Sequence, residues 1–337
     1  MRALVVHGAG DLRLEERDLD CTLGSVIVRP AHAGICGSDL HYYREGRVGS
    51  FAIQQPLILG HEVVAIVEHD PTGEFSVGDR VAVHPATPDG ICPECRAGRP
   101  NICRNARYLG SAASMPHTQG AFSEQAMFRP DQLRRLPGTL PTLRAVLAEP
   151  LAVGVHAIAR AGGVRDKRVF VSGAGPIGLL ATGAAVAFGA ASVTVGDLLP
   201  QPLEIAIALG ADSTLVLGDE KPDDQSFDVV LEAAGAPAAL STAIAAAARG
   251  GVVVQIGMLP GEPRPVSLAS LVSHEVDLRG TFRFDSELDT AIDLLDSHPA
   301  FDVVITHRFL LNDALTAFEV AADAAQSSKV VLDLSIA

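Results

Sequence analysis

The sequence predicts an α/β protein in two parts, a mostly β domain and a doubly wound parallel sheet, and three observations carry that prediction. A chain of 337 residues has the length of about two domains. Its hydrophobic content is 48% but its aromatic content only 4%, with no Trp. The core must therefore be made of Ala, Val, Leu and Ile, which suits buried parallel strands covered by Ala-rich helices. The patterning also changes near Thr142, from short strands broken by Gly and Pro to a regular alternation of strand and helix.

In chain order, Ala3–His7 and Ser25–Ala31 read as strands separated by an acidic turn. The β-branched run VVAIVE within Ile58–His69 reads as another strand, with Glu62 at its entrance, and Val81–Val83 follows the turn signal VGDR. Residues 84–120 are irregular and rich in Pro, Gly and Cys, and a loop that long is functional or held together by something. Arg144–Ala161 has a helical pattern that Pro150 is expected to break locally. From Lys167 the chain reads strand RVFVSG, helix PIGLLATGAAVAFG, strand SVTVGD, helix PLEIAIALG, TLVLG, FDVVLEAAG, helix PAALSTAIAAAARG, then strands GVVVQIGM and DLRGTFRF. That is a βαβ array and so a parallel sheet. Beyond it, a helix at Glu287–Ser297, VVITHRF, a helix at Asn312–Asp323 and KVVLDLS read as a return to the first domain.

The formal net charge is -14, which disfavours nucleic acid and anionic membranes as partners and favours small-molecule chemistry. No targeting segment is expected at the start, MRALVVHGAG. Val169–Gly196 carries no charge, yet Gly173, Gly175, Gly178, Gly183 and Gly189 punctuate it, so a buried strand–turn–helix–strand unit explains it better than a membrane span. The cysteines are Cys21, Cys36, Cys92, Cys95 and Cys103. An odd number with three crowded together indicates metal binding in a reducing compartment, hence a cytoplasmic protein, rather than a disulfide framework.

Gly173-Ala-Gly175-Pro176-Ile177-Gly178 follows an apolar strand and opens a helix. In that setting the first Gly allows the tight turn, the second lets a pyrophosphate approach the backbone, and the third lets helix and strand pack closely. The helix N-terminus then offers free N–H groups to the phosphates. The next strand ends at Asp197, whose carboxylate would accept the adenosine ribose hydroxyls and repel a 2′-phosphate, and no Arg or Lys lies between Asp197 and Lys221. NAD is therefore expected rather than NADP.

Two clusters have metal-ligand spacing. Asp89-x2-Cys92-x2-Cys95-x7-Cys103 offers three thiolates and a carboxylate in step with them, a closed structural zinc site if Asp89 supplies the fourth ligand; Glu94 or water are the alternatives. Gly34–Glu62 holds Cys36, Ser38, Asp39, His41, Tyr42, His61 and Glu62. Cys36 and His61 would bind zinc directly, with Glu62 adjacent and Glu149 a further carboxylate. Cys36, His61 and Glu149 plus water would leave the open position a catalytic zinc needs, with Glu62 exchanging in or acting from close by.

GICGSDLHYY, the GHE of Gly60–Glu62, the Cys loop, AEPLAVGVHA and GAGPIG together resemble the zinc-containing medium-chain dehydrogenases of the alcohol/polyol type, from end to end of the chain. Glu149 in the EPLAV segment is the choice of the polyol branch, and GICGSDLHYYREGRVGSF with LRGTFRF most resembles the L-idonate 5-dehydrogenases, sugar-acid relatives of the sorbitol dehydrogenases. The resemblance implies a GroES-like catalytic domain (1–148 and 284–337), a Rossmann NAD-binding domain (149–283) and a homodimer or homotetramer. It implies catalytic zinc on Cys36, His61 and Glu149 or Glu62, Asp39 behind His61, and a proton relay of Ser38 and His41. It places Tyr42, Arg283 and Phe284 at substrate positions. In three places the chain departs from the pattern: Asp89 replaces a zinc-loop Cys, Phe284 replaces a Tyr, and Pro202 stands where many relatives have an Arg near the adenosine ribose. The implied activity is oxidation of a secondary hydroxyl of a sugar acid or polyol.

Overall fold

The computed structural model describes residues 1–19 and 24–335, so Cys21 lies outside the described residues. The chain forms two compact units. The first comprises Met1–Glu149, Ile305–Asp323 and Lys329–Ala337, and the second Pro150–Val304 and Ala324–Ser328.

The first unit is built on a seven-stranded sheet. Its main order is Leu133–Arg135, Arg80–Val83, Glu62–His69, Val26–Gly34, Lys329–Asp333, Ile305–Leu310, and Ala126–Phe128 also pairs with Val26–Gly34. The register centres two neighbouring strands on one glycine: Gly34 lies opposite Glu62 on one side and opposite Val331 on the other. The core is aliphatic with a few rings: Leu4, Leu57, Leu59, Phe122 and Phe318 are fully buried, and Phe122 meets Phe318 edge-on at 6.3 Å. Each such side chain contributes about 1.5–3 kcal/mol by leaving water.

Three local expectations change. The acidic segment after the first strand is not a turn: Asp11–Glu16 is a strand, antiparallel to Arg2–Gly8, with Leu12 turned into the core and charges outward. The chain reverses at Ala9–Gly10, where Gly10 takes φ 76. Next, Gly37–Glu45 is a helix the sequence pattern did not announce. It starts at Cys36, whose N–H is accepted by Asp39 Oδ2 at 3.0 Å, and stops at left-handed Gly46. Finally, Pro150 breaks nothing. It sits in the first turn of the Ala148–Arg160 helix, where no N–H is required, and the interruption comes earlier, after the short Thr142–Ala145 helix.

The second unit carries a six-stranded sheet in the order Ser213–Val216, Ser192–Asp197, Arg168–Ser172, Phe227–Glu232, Ala247–Gln255, Asp277–Gly280, parallel throughout. The strand order reverses between Arg168–Ser172 and Phe227–Glu232, which is where such sheets bind nucleotides. The uncharged Val169–Gly196 stretch is strand, the Pro176–Ala187 helix, and strand again. Among the described residues no helix is long and apolar enough to cross a membrane. The Glu287–Ser297 helix belongs to this unit, and the chain re-enters the first at Ile305.

Candidate active site

Three strands and one helix converge on the first cluster. Cys36 follows the Val26–Gly34 strand and caps the Gly37–Glu45 helix, while His61 and Glu62 stand at the head of Glu62–His69. One ligand atom from each of Cys36, His61 and Glu62 lies within 4.8 Å of the others. Gly34 makes room for them: a Cβ there would sit 2.0 Å from Glu62 Oε2. Gly60 serves the same turn, with φ 95 and Phe122 packed where its Cβ would be.

Behind the ligands is Asp39, completely buried. Its Oδ1 accepts the Gly60 N–H at 3.2 Å and lies 4.0 Å from His61 Nδ1. Burial raises the Asp39 carboxyl above the ordinary range, and does the same to Glu149. Burial also works against a charged His61, but the Cys36 thiolate, Asp39 and Glu149 outweigh it and hold the imidazole up at about 10. The site thus gathers several buried acidic side chains and a soft–borderline–hard donor set. Both fit a zinc ion.

Two partners complete the cluster, and neither was singled out from the sequence. Lys329, 2% exposed, places Nζ 2.7 Å from both Glu62 oxygens and 3.1 Å from the Ile35 carbonyl. Burial opposes its charge, but Glu62 and Cys36 more than offset that and raise its pKa. Tyr108 donates its hydroxyl to Glu149 Oε1 at 2.6 Å, and its ring lies 5.5 Å from that of His61. A charged residue opening the apolar run KVVLDLS was the one signal for Lys329, since Lys is rarely buried without a partner. For Tyr108 there was no signal, because the short Ala86–Thr87 and Arg107–Tyr108 ladder that delivers it is set by the fold of the Cys loop.

On the Gly37–Glu45 helix, Ser38 is half-buried and His41 exposed, with His41 Nδ1 2.9 Å from Glu45 Oε1. Tyr42 points into the core at 2% exposure, and its hydroxyl accepts the Ala112 N–H at 2.9 Å.

The second cluster is Asp89, Cys92, Cys95 and Cys103, again with one ligand atom each within 4.8 Å. Cys92 Sγ is 3.4 Å from Cys95 Sγ and 3.7 Å from Cys103 Sγ. A tetrahedral ion with Zn–S bonds of about 2.3 Å sets its sulfurs roughly 3.8 Å apart, so the loop is close to the required shape. Asp89 is fixed by the Asn105 side chain at 2.6 Å and by the Ile91 and Cys92 N–H groups, which hold its carboxyl well below the usual range. Glu94, the alternative fourth ligand, is instead paired with Arg104 at 3.0 Å, and that guanidinium lowers its pKa to about 2.

In the second unit the glycine-rich turn has the shape its spacing requires. Gly173 has φ 100, a Cβ at Gly178 would lie 1.9 Å from the Gly173 carbonyl, and at Gly175 nothing lies within 4 Å, so the backbone is open to a phosphate. Pro176 and Ile177 begin the helix. Asp197 accepts the Ala174 N–H at 2.6 Å and the Leu199 N–H at 2.9 Å, tying the end of its strand to the turn. Pro202 is buried in the next helix. A cavity of about 280 Å³ in this unit is lined by Val153, Gln255, Thr281, Phe282 and Arg283 among others. Arg283 takes φ 54, and its guanidinium lies over the Phe282 ring at 4.7 Å. Phe284 is not in that lining and is 2% exposed.

A Rossmann sheet with an open glycine turn and two zinc-type clusters in a β-rich unit define a zinc-dependent nicotinamide-nucleotide dehydrogenase. Comparison with known proteins agrees. Residues 22–138 match the alcohol dehydrogenase GroES-like domain, and 176–297 match the zinc-binding dehydrogenase family. The chain is 36% identical over 340 residues to an L-idonate 5-dehydrogenase (NAD(P)(+)) of Escherichia coli strain K12, covering 98% of each. It is 37% identical to the sorbitol dehydrogenase of Gallus gallus over 94% of this chain and 92% of the relative. The crystal structure of L-idonate 5-dehydrogenase from Escherichia coli superposes with a TM-score of 0.94 at 35% identity, covering 98% of this chain and 97% of that one. The chain belongs to the L-idonate 5-dehydrogenase/sorbitol dehydrogenase family of zinc-type medium-chain dehydrogenases.

Proposed function

We propose that this oxidoreductase converts a secondary hydroxyl of a sugar acid to a ketone with NAD as acceptor, with L-idonate to 5-ketogluconate as the reaction. The observation that carries the reading is the match to an L-idonate 5-dehydrogenase over 98% of both chains. Arg283 on the wall of the 280 Å³ cavity supports the acid, because a guanidinium grips a carboxylate through two parallel hydrogen bonds. Tyr42 and Phe284, expected at substrate positions, are each only 2% exposed, so this reading gives neither of them a polar contact with the substrate.

Zinc held by Cys36, His61 and Glu62 would make the substrate hydroxyl acidic, and the nicotinamide would accept the hydride. The chain's own groups do the rest. Asp39 stands behind His61 and fixes its orientation. Tyr108 fixes Glu149 through one oxygen. Ser38 and His41 would carry the released proton to solvent, since a hydroxyl and an imidazole can each accept and donate a proton. Glu45 accepts from Nδ1 of His41, which leaves Nε2 as the exchanging nitrogen. Asp89, Cys92, Cys95 and Cys103 would hold a structural zinc. Gly173, Gly175 and Gly178 cradle the pyrophosphate, and Asp197 favours the unphosphorylated ribose of NAD.

The edge strand Asp277–Gly280 supports a homodimer or homotetramer joined sheet edge to sheet edge, and cysteines grouped for metal rather than for disulfides support a cytoplasmic location.

Initial rates of NAD reduction with L-idonate, D-gluconate, sorbitol, xylitol and threonine test the reading. L-idonate is expected to give the highest kcat/KM, and NADP a lower kcat/KM than NAD. A preference for sorbitol or xylitol would establish the polyol dehydrogenase reading that the Gallus gallus relative favours. Absence of NADH formation with the whole panel would indicate a silent structural or NAD-sensing relative instead.

A further inference from the structure

We propose that Lys329 sets the metal affinity of the Cys36–His61–Glu62 cluster by competing with the ion for the Glu62 carboxylate. This rests on reading the cluster as a zinc centre. Sheet register builds the device. Gly34 has Glu62 opposite it on one neighbouring strand and Val331 on the other, two residues from Lys329. Because Gly34 has no side chain, the carboxylate and the ammonium meet across it. Both Glu62 oxygens are 2.7 Å from Nζ, and the Ile35 carbonyl at 3.1 Å takes the remaining N–H. All three donors of the ammonium are therefore used, and the group has no alternative position.

A buried ion pair of this kind is a poor way to obtain stability, because apolar side chains of similar volume usually serve as well or better. Its effect on a metal is direct. The ammonium competes with the ion for the same carboxylate lone pairs, and its charge opposes a second cation nearby. Within this site Cys36, Asp39, Glu62 and Glu149 are the buried or half-buried acidic groups, and Lys329 is the ammonium held among them by its three hydrogen bonds. Without it the ion would face the whole of that charge and a Glu62 free to bind it.

The sign of the effect separates this role from a structural one. Chelator competition on purified protein gives the dissociation constant of each zinc, and the phase missing from Cys36→Ser identifies the cluster. Lys329→Met is expected to bind that zinc more tightly, by roughly tenfold or more, and to release it more slowly. Lys329→Arg, which keeps charge and donors, should stay near wild type. Equal or weaker zinc binding in folded Lys329→Met overturns the proposal, since that is what loss of a mere prop would give. If Lys329→Met does not fold, Lys329→Gln, which retains N–H donors for Glu62 without the charge, makes the same comparison with the same expected direction. A wild-type protein with no Cys36-dependent zinc overturns the zinc-centre reading itself, a result distinct from a wrong sign in the variants.

Discussion

Gly34 decides what can stand beside Cys36. Any Cβ at that position meets Glu62 Oε2 at 2.0 Å, and the carboxylate cannot yield without leaving Lys329. Gly34→Ala is therefore expected to cost about 1–3 kcal/mol in thermal or denaturant unfolding, the usual penalty of overpacking, and to lose zinc from the Cys36 cluster alone. At the other metal site Asp89 is held for its task by Asn105 and two backbone N–H groups. Asp89→Ala should lower both zinc content and melting temperature, whereas Glu94→Ala should leave zinc content unchanged because Glu94 is engaged with Arg104. The two clusters were legible from spacing and residue type, because thiolates and imidazoles in short register have few other uses. Lys329, Tyr108 and Asn105 were not. Each reaches its partner through strand pairing or loop packing, and nothing near it in sequence points to that partner.

At the scale of elements, the Ala148–Arg160 helix is tied to the start of the Glu287–Ser297 helix by His156 Nδ1 and Glu287 Oε1 at 2.7 Å. Burial would raise the Glu287 carboxyl, but hydrogen bonds from His156 and the Asp285 N–H outweigh it and bring the pKa below its ordinary 4.5. A depressed carboxylate pKa means stability that is present above the unfolded value and lost as pH falls through the folded one. Glu287→Gln should thus lower stability by about 1 kcal/mol at neutral pH, and the deficit should shrink as pH drops below 4.5. Melting curves of both proteins across that range check it. The parallel array was readable because its central strands, such as Arg168–Ser172 and Phe227–Glu232, are almost wholly buried and its helices are Ala-rich, so pattern and packing agree. Asp11–Glu16 was not, since only Leu12 of that edge strand is fully buried, with Leu14 partly buried against the same core, and its charges look like those of a turn. Pro150 misled for a similar reason: the sequence marks a proline, but the structure decides whether it falls in a first turn or an interior.

For the molecule as a whole, the division of labour comes from the two units. One gathers both metal clusters on a β-rich frame, and the other presents the glycine turn and Asp197 at the reversal point of a parallel sheet. Glu149 is the last residue of the first unit and lies in the first turn of the Ala148–Arg160 helix. The net charge of -14 disfavours nucleic acid as a partner, and on the proposed reading an acidic substrate would need a local cation such as Arg283 to offset it. The most direct test of a zinc-centred dehydrogenase is the initial rate of NADH formation from L-idonate by zinc-loaded wild type and by Cys36→Ser, with zinc content measured in the same samples. The expected result is turnover by the wild type with two zinc ions per chain, and, in Cys36→Ser, one zinc ion and a rate at background. A Cys36→Ser protein that turns over L-idonate as fast as the wild type would contradict it.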